Sequence, residues 1–153
     1  MTDAHERLKA LSLELPVLGA PRYAYEASVQ WGTLLHVSGQ ISRTAAGEIL
    51  TGCLGDGVTV AKGVAAARVA ALNLLARIHE AVGLDNVEQV LKLNAWVTSS
   101  RDFVDQPSVV DGASKLLIDV LGDAGRHART ALPAHVLPKG ALVELDATVA
   151  IRS

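Results

Sequence analysis

The sequence predicts an α+β fold: a sheet with two helices packed on one face and a short helix in front. Three observations lead there. Two long segments repeat apolar residues at helical threes and fours. Several shorter ones alternate apolar and polar residues, as strands with two different faces do. The order is strand, strand, helix, strand, helix, strand, strand, and two helices cover only one face of a sheet of about four to six strands.

The 153 residues read as one domain, 1–153, with 1–21 as an N-terminal extension, and that length buries a real core. Half the residues are hydrophobic and 20% are charged, the balance of a globular chain, but only 3% are aromatic. The core must therefore be built from Ala, Val and Leu, which suits thin helices lying close to a sheet. The net charge of −2, with no dense basic run, disfavours nucleic acid as a partner. A single cysteine, Cys53, rules out an intrachain disulfide and fits a reducing, cytoplasmic compartment. His5, Glu6, Arg7 and Lys9 stand where a signal peptide needs an apolar run, and no apolar stretch nears ~18 residues. Neither a secretion signal nor a membrane span is expected.

Thr2 or Asp3 caps a short helix running to about Leu15, with Leu8, Leu11 and Leu15 at helical spacing; Pro16, Gly19 and Pro21 end it. Strand-like runs follow at Tyr25–Trp31 and Leu34–Ser38, joined by a Gly32-Thr33 turn. Ala46-Gly47-Glu48 is another turn, and Gly52, Gly55 and Gly57 mark a loop. It is no phosphate loop, because no Gly-Lys-Ser/Thr follows. From Thr59 to Val82 the period is helical. Val64, Leu72, Leu75, Ile78 and Val82 recur on one side, alanines fill the gaps, and Lys62, Arg68 and Arg77 take the opposite side, with Gly83 as the stop. Val87–Thr98 alternates Leu91, Leu93, Ala95 and Val97 against Lys92, Asn94, Trp96 and Thr98. Asp102, or Ser108 behind Pro107, opens a second helix that reaches Leu121 and is closed by Gly122 and Gly125.

Gly125–Ile151 reads as a hairpin around the Leu137-Pro138-Lys139-Gly140 turn. This puts Arg129 and Glu144 on neighbouring strands, offset by ~13 Å at the strand rise if the turn centres on Pro138-Lys139. A long ligand, a bulge or a site shared between subunits is then needed to bring both onto one small molecule, and the shared site is favoured. On the strands, Leu91, Leu93, Val97, Val143, Leu145 and Val149 should meet the helices. The opposite parity is mixed: His36, Ser38, Lys92, Asn94, Trp96, Glu144, Asp146 and Thr148. A tryptophan among charges calls for cover, most simply another subunit.

Three runs together resemble a known family. Tyr25-Glu-Ala-Ser-Val29-Gln-Trp-Gly32-Thr-Leu-Leu-His-Val37-Ser38-Gly39-Gln40-Ile41 resembles its opening without a gap. Leu91-Lys92-Leu93-Asn94-Ala95-Trp96-Val97-Thr98 resembles its third long strand. Ala128-Arg129-Thr130, Leu137-Pro138-Lys139 and Val143-Glu144-Leu145-Asp146 resemble its closing pattern at matching spacing. The family is the Rid group, YjgF-like or "endoribonuclease L-PSP", and the resemblance spans about residues 22–151. It implies a chorismate-mutase-like fold, a homotrimer with intersubunit clefts, and no metal or organic cofactor. The implied activity is hydrolytic deamination of reactive enamines and imines such as 2-aminoacrylate, giving a keto acid and ammonia. The chain departs from the pattern in lacking an Asn-x-x-Tyr motif at the start of the second helix, where Asp105-Gln106-Pro107 through Asp111-Gly112-Ala113-Ser114 stands, and in reading Gly125-Arg126-His127 before Arg129. It looks like a divergent subgroup.

Carried over residue by residue, the resemblance makes Arg129 and Glu144 the catalytic pair. Arg129 holds a carboxylate in a two-pronged fork that lysine cannot imitate; the plainer alternative is a helix cap or a surface ion pair. Glu144 moves protons to and from water and the leaving amine; alternatively it is an exposed strand carboxylate beside Asp146, two acids that raise one another's proton affinity. Tyr25, Ser38, Gly39 and Thr130 are the candidate ligand-binding residues: two hydroxyls beside the ligand, and a Ser38-Gly39 backbone that an anion approaches closely. Their plain readings are rim packing for Tyr25, a strand-ending turn for Ser38-Gly39, and a good strand residue for Thr130. His127 is a candidate titrating group or a loop surface residue. The five histidines show no metal-ligand spacing. The expected partner is a small carboxylate-bearing metabolite. A non-catalytic carboxylate-binding module is the competing class. A ribonuclease ranks last, since basic clusters and stacking aromatics are scarce.

Overall fold

A computed structural model describes residues 3–153. In chain order the elements are α1 (Ala4–Ala10), β1 (Ser28–Trp31), β2 (Leu34–Ile41), β3 (Cys53–Leu54), β4 (Gly57–Val58), α2 (Val60–Val82), β5 (Val87–Thr98), α3 (Gln106–Leu121), β6 (Ala128–Ala134) and β7 (Val143–Ile151). Five strands form one sheet in the order β1-β2-β7-β5-β6, and β3 and β4 form a small pair apart. The fold is α+β, with α2 and α3 on one face. Among the described residues no helix is long and apolar enough to cross a membrane.

Asp3 caps α1, accepting from the Glu6 amide at 2.7 Å; Thr2 lies outside the described residues. The helix stops at Ala10, short of Leu15, because Ser12 takes a left-handed conformation (φ 56°). Leu13 and Leu15 still pack on the core as irregular chain, while Leu11 is exposed. Thr59 caps α2 and Gly83 ends it. Its alanines are core rather than filler: Ala66, Ala67, Ala70 and Ala71 are fully buried with Leu74, Leu75 and Ile78, whereas Val64, Leu72 and Val82 are only partly so. Small residues let α2 and α3 approach closely. A β-carbon on Gly112 would collide with the Val64 carbonyl. Arg77 is not on a solvent face. Its side chain is 11% exposed and donates to the Gly19 carbonyl at 2.7 Å, tying the segment after α1 onto α2.

Two expectations about the sheet are corrected. Leu91 faces outward, because a register shift between Val90 and Lys92 changes parity, so Val87, Val90, Leu93, Ala95 and Val97 point into the core. The closing hairpin does not form. β6 pairs in parallel with β5, Leu93 opposite Arg129 and Trp96 opposite Leu132, while β7 lies antiparallel between β5 and β2. The reason is the crossover: β5, α3 and β6 form a strand–helix–strand unit, and a helical connection of that length favours a parallel neighbour. Pro138–Gly140 does turn the chain, with Lys139 and Gly140 both left-handed, but it carries the chain past β5 rather than back along β6.

Candidate functional site

β1 pairs only with Leu34–Val37, so the second half of β2, Ser38–Ile41, lies at an open sheet edge. A cleft of about 750 Å³ sits there, roofed by the irregular segment from Pro16 to Tyr25. Tyr25, Ser38, Gly39 and Glu144 all line it. The β2–β7 register shifts between Val37 and Gln40, which sets Gly39 against Glu144. A β-carbon at Gly39 would collide with Glu144 Oε1. The carboxyl group therefore lies over bare backbone, and glycine is needed here for space rather than for turn geometry. Ser38 Oγ donates to the Glu26 carbonyl at 2.6 Å and its amide donates to Ala27, so its hydroxyl secures the roof. Tyr25 is half-exposed on the rim.

Burial, and then the neighbouring Asp146 carboxylate, raise the proton affinity of Glu144 above that of an ordinary carboxylate. Asp146 accepts from Asn94 at 2.8 Å, whereas no side chain among the described residues hydrogen-bonds to Glu144. A carboxyl group so placed carries a proton closer to neutral pH than a free one, which suits a group that must both give and take protons.

Arg129 and Thr130 lie elsewhere, on the edge strand β6 with β5 between them and β7. The two also point to opposite faces. Thr130 Oγ1 accepts from Lys92 Nζ at 2.9 Å on the polar face. Arg129 turns to α3: Nη1 donates to Asp111 Oδ1 at 2.8 Å and to Ser114 Oγ at 3.1 Å, and Nη2 to the Pro107 carbonyl at 3.1 Å. Nε–H and one N–H of Nη2 remain for a ligand. Ser114 Oγ in turn meets His127 Nε2 at 2.9 Å, and His127 Nδ1 donates to the Gly125 carbonyl at 2.6 Å. The runs Pro107–Ser114 and Gly125–Arg129, the two departures from the family pattern, are thus one network around a single guanidinium.

Sequence reasoning missed three residues of the cleft. Asn73 is 4% exposed and donates to the Ile41 and Arg43 carbonyls at 3.1 and 2.9 Å, fixing the chain that leaves β2. An asparagine within an Ala/Leu helix was a visible signal. Arg43 and Arg77 gave none, because only the fold brings them to the cleft. Cys53 is a free, half-buried thiol outside the site. Among the described residues no group of three or more His, Cys, Asp or Glu side chains is placed to hold a metal.

Residues 5–148 match the family model described as "YjgF/chorismate_mutase-like, putative endoribonuclease". The chain belongs to this family. It is 44% identical over 148 residues to Protein TCP17 of Trypanosoma cruzi, covering 95% of this chain and 92% of that protein. A crystal structure of a protein of unknown function from Agrobacterium tumefaciens superposes with a TM-score of 0.90 at 40% identity, covering 97% of this chain and 94% of the other. One from Shewanella oneidensis, called a putative endoribonuclease, gives 0.93 at 34%, covering 98% and 100%. Escherichia coli TdcF, solved with bound serine, shares the fold at 21% identity and a TM-score of 0.62, covering 88% and 92%. The chain therefore has the chorismate-mutase-like α+β fold of the YjgF family, with three helices and a sheet.

Proposed function

We propose that this YjgF-family protein is a cofactor-free hydrolytic deaminase of small enamine and imine acids, working at clefts between the subunits of a homotrimer. The observation that carries this reading is Glu144. It is a carboxyl of raised proton affinity with no side-chain partner among the described residues, lying over the bare backbone of Gly39 in a cleft large enough for a small metabolite. In the reaction Glu144 delivers a proton to the enamine carbon, giving the imine. It then takes a proton from water as the new C–O bond forms at the imine carbon and returns it to nitrogen; as the C–N bond breaks the C=O bond forms, and the hydroxyl proton passes back to Glu144, restoring its starting state. The products are a keto acid and ammonia. The serine bound by TdcF supports a small amino-acid-like ligand.

Within one subunit Arg129 and Glu144 cannot act on one small molecule, since they face opposite sides of the sheet. Assembly resolves this. The Glu144 cleft opens at one sheet edge and β6 forms the other, and exposed apolar side chains stand on both: Val29 and Trp31 on β1, Leu132 on β6. A closed ring of three sets one subunit's Arg129 against the next subunit's cleft. The competing reading, a carboxylate-binding module without turnover, draws on the same fork, part of which Asp111 already occupies.

Subunit mixing tests this. Arg129→Ala and Glu144→Gln should each cut decay of 2-aminoacrylate, generated in situ, by on the order of a hundredfold. Mixed trimers refolded from both should recover activity, because random assembly leaves about a quarter of the clefts with both native residues. No recovery in mixed trimers refutes the shared site. A wild type that binds keto acids but accelerates no enamine's decay leaves the binding module.

A further inference from the structure

We propose that Arg43 recognises a second anionic group on the ligand, so that the Glu144 cleft takes acids with two negative charges. This rests on the reading of that cleft as the reactive site. Arg43 follows β2 on a short turn held by two bonds: its amide donates to the Ile41 carbonyl at 2.8 Å, and its own carbonyl accepts from Asn73. Arg43 lines the cleft with Glu144. Among the described residues, two buried side-chain polar atoms lack a hydrogen-bond partner, and they are the Nε atoms of Arg43 and Arg77, both on this cleft.

The two arginines differ in what balances their charge. Arg77 is paired with Glu80 at 3.0 Å and tied to Gly19. Arg43 forms no ion pair and no side-chain hydrogen bond with any described residue, and it is not paired with Glu144 although both line one cavity. A guanidinium that is partly desolvated and lacks a counter-ion is costly, and a purely structural arginine would have an acceptor. An oxyanion entering the cleft removes that cost through charge-assisted bonds. Lys139, held left-handed at φ 59°, lines the same cleft and adds positive charge near the turn. Arg43 and Glu144 line one cleft without an ion pair between them, so one end of a ligand can be held while the other reacts. A cavity of about 750 Å³ accommodates a molecule longer than a three-carbon acid.

Calorimetry on the full chain tests this with three keto acids: 2-oxobutyrate with one charged group, 2-oxoglutarate with a second carboxylate, and phosphonopyruvate with a phosphonate. Wild type should bind at least one of the two-anion ligands roughly ten- to hundredfold more tightly than 2-oxobutyrate; the tighter of the two identifies the second group as carboxylate or phosphate-like. Arg43→Gln should abolish the preference while leaving 2-oxobutyrate binding within about twofold, and Arg43→Lys, which keeps the charge without the fork, should restore part of it. Both variants are compared by melting temperature to confirm the fold. The proposal is overturned if wild type shows no preference, if the preference survives in Arg43→Gln, or if that variant weakens all three ligands equally. Because binding is read without turnover, an Arg43-dependent preference in a protein that deaminates nothing refutes the deaminase reading alone. Turnover of 2-aminoacrylate without such a preference refutes only the role of Arg43.

Discussion

Replacing Asn73 by alanine removes a side chain of α2 that reaches across to the chain leaving β2. Its amide donates two bonds, 3.1 Å to the Ile41 carbonyl and 2.9 Å to the Arg43 carbonyl, from a position 4% exposed. A net hydrogen bond is worth about 0.5–1.5 kcal/mol, and buried acceptors left short of donors add to that. The Ile41 carbonyl keeps one donor, the Arg43 amide, so the second penalty falls mainly on Arg43. The expected loss is about 2–3 kcal/mol, which for a domain of this size lowers the melting temperature by about 4–10 °C. Asn73→Asp sharpens the test. It has the same shape but presents an acceptor to two carbonyl oxygens, so it should lose more than alanine at neutral pH and recover as the carboxyl is protonated. Urea unfolding followed by circular dichroism at two pH values measures both. If Asn73→Ala costs less than about 0.5 kcal/mol, or the aspartate variant is no worse than alanine at neutral pH, the two bonds do not hold the turn as described.

Two further outcomes follow from the geometry. Glu144→Gln should be more stable than wild type at neutral pH while losing turnover. Burial and Asp146 penalise the charged form in the folded state; that penalty is absent below the ordinary value of 4.5, where the group is protonated folded or unfolded, grows as pH rises from there to the raised value, and is constant above it. Unfolding titrations should show the gain near pH 7 vanish below about pH 4, and a gain that persists in acid contradicts the assigned cause. On assembly, light scattering should report a trimer for wild type, and Leu132→Asp on the exposed side of β6 should yield smaller species with unchanged circular dichroism; a monomeric wild type at micromolar concentration removes the intersubunit site.

The longer elements were legible because each is announced locally, whereas the short β3–β4 pair was read as a glycine loop and α1 was expected to run on to Leu15. Thr59 and Gly83 bracket α2, Gly32 turns β1 into β2, and the alternation of Val87–Thr98 coincides with β5. Pairing was not legible, because it is decided between elements. Ala128–Ala134 and Val143–Ile151 are separated by a good turn and have hairpin spacing, yet α3 delivers β6 to the far side of β5. Nothing within either strand records this; it follows from the handed crossover of a strand–helix–strand unit. The facing of Leu91 failed for a related reason: one inserted residue reverses parity without disturbing the alternation on either side.

The site divides along the same line. Glu144 and Gly39 came forward as candidates beside the family resemblance, and the structure adds how they stand together: the carboxyl group occupies the volume a β-carbon at Gly39 would fill. Arg129 was identifiable as a residue but not in its surroundings, since Asp111, Ser114 and His127 converge on it only once α3 packs beside β6. Arg43 could not be found from sequence at all. What distinguishes it is that no described residue partners its side chain, and a missing partner is a property of the folded environment rather than of any residue. On the proposed reading, motif spacing locates the group that moves protons, while recognition of the rest of the ligand falls to cations that lie far apart in the chain and meet only at the cleft.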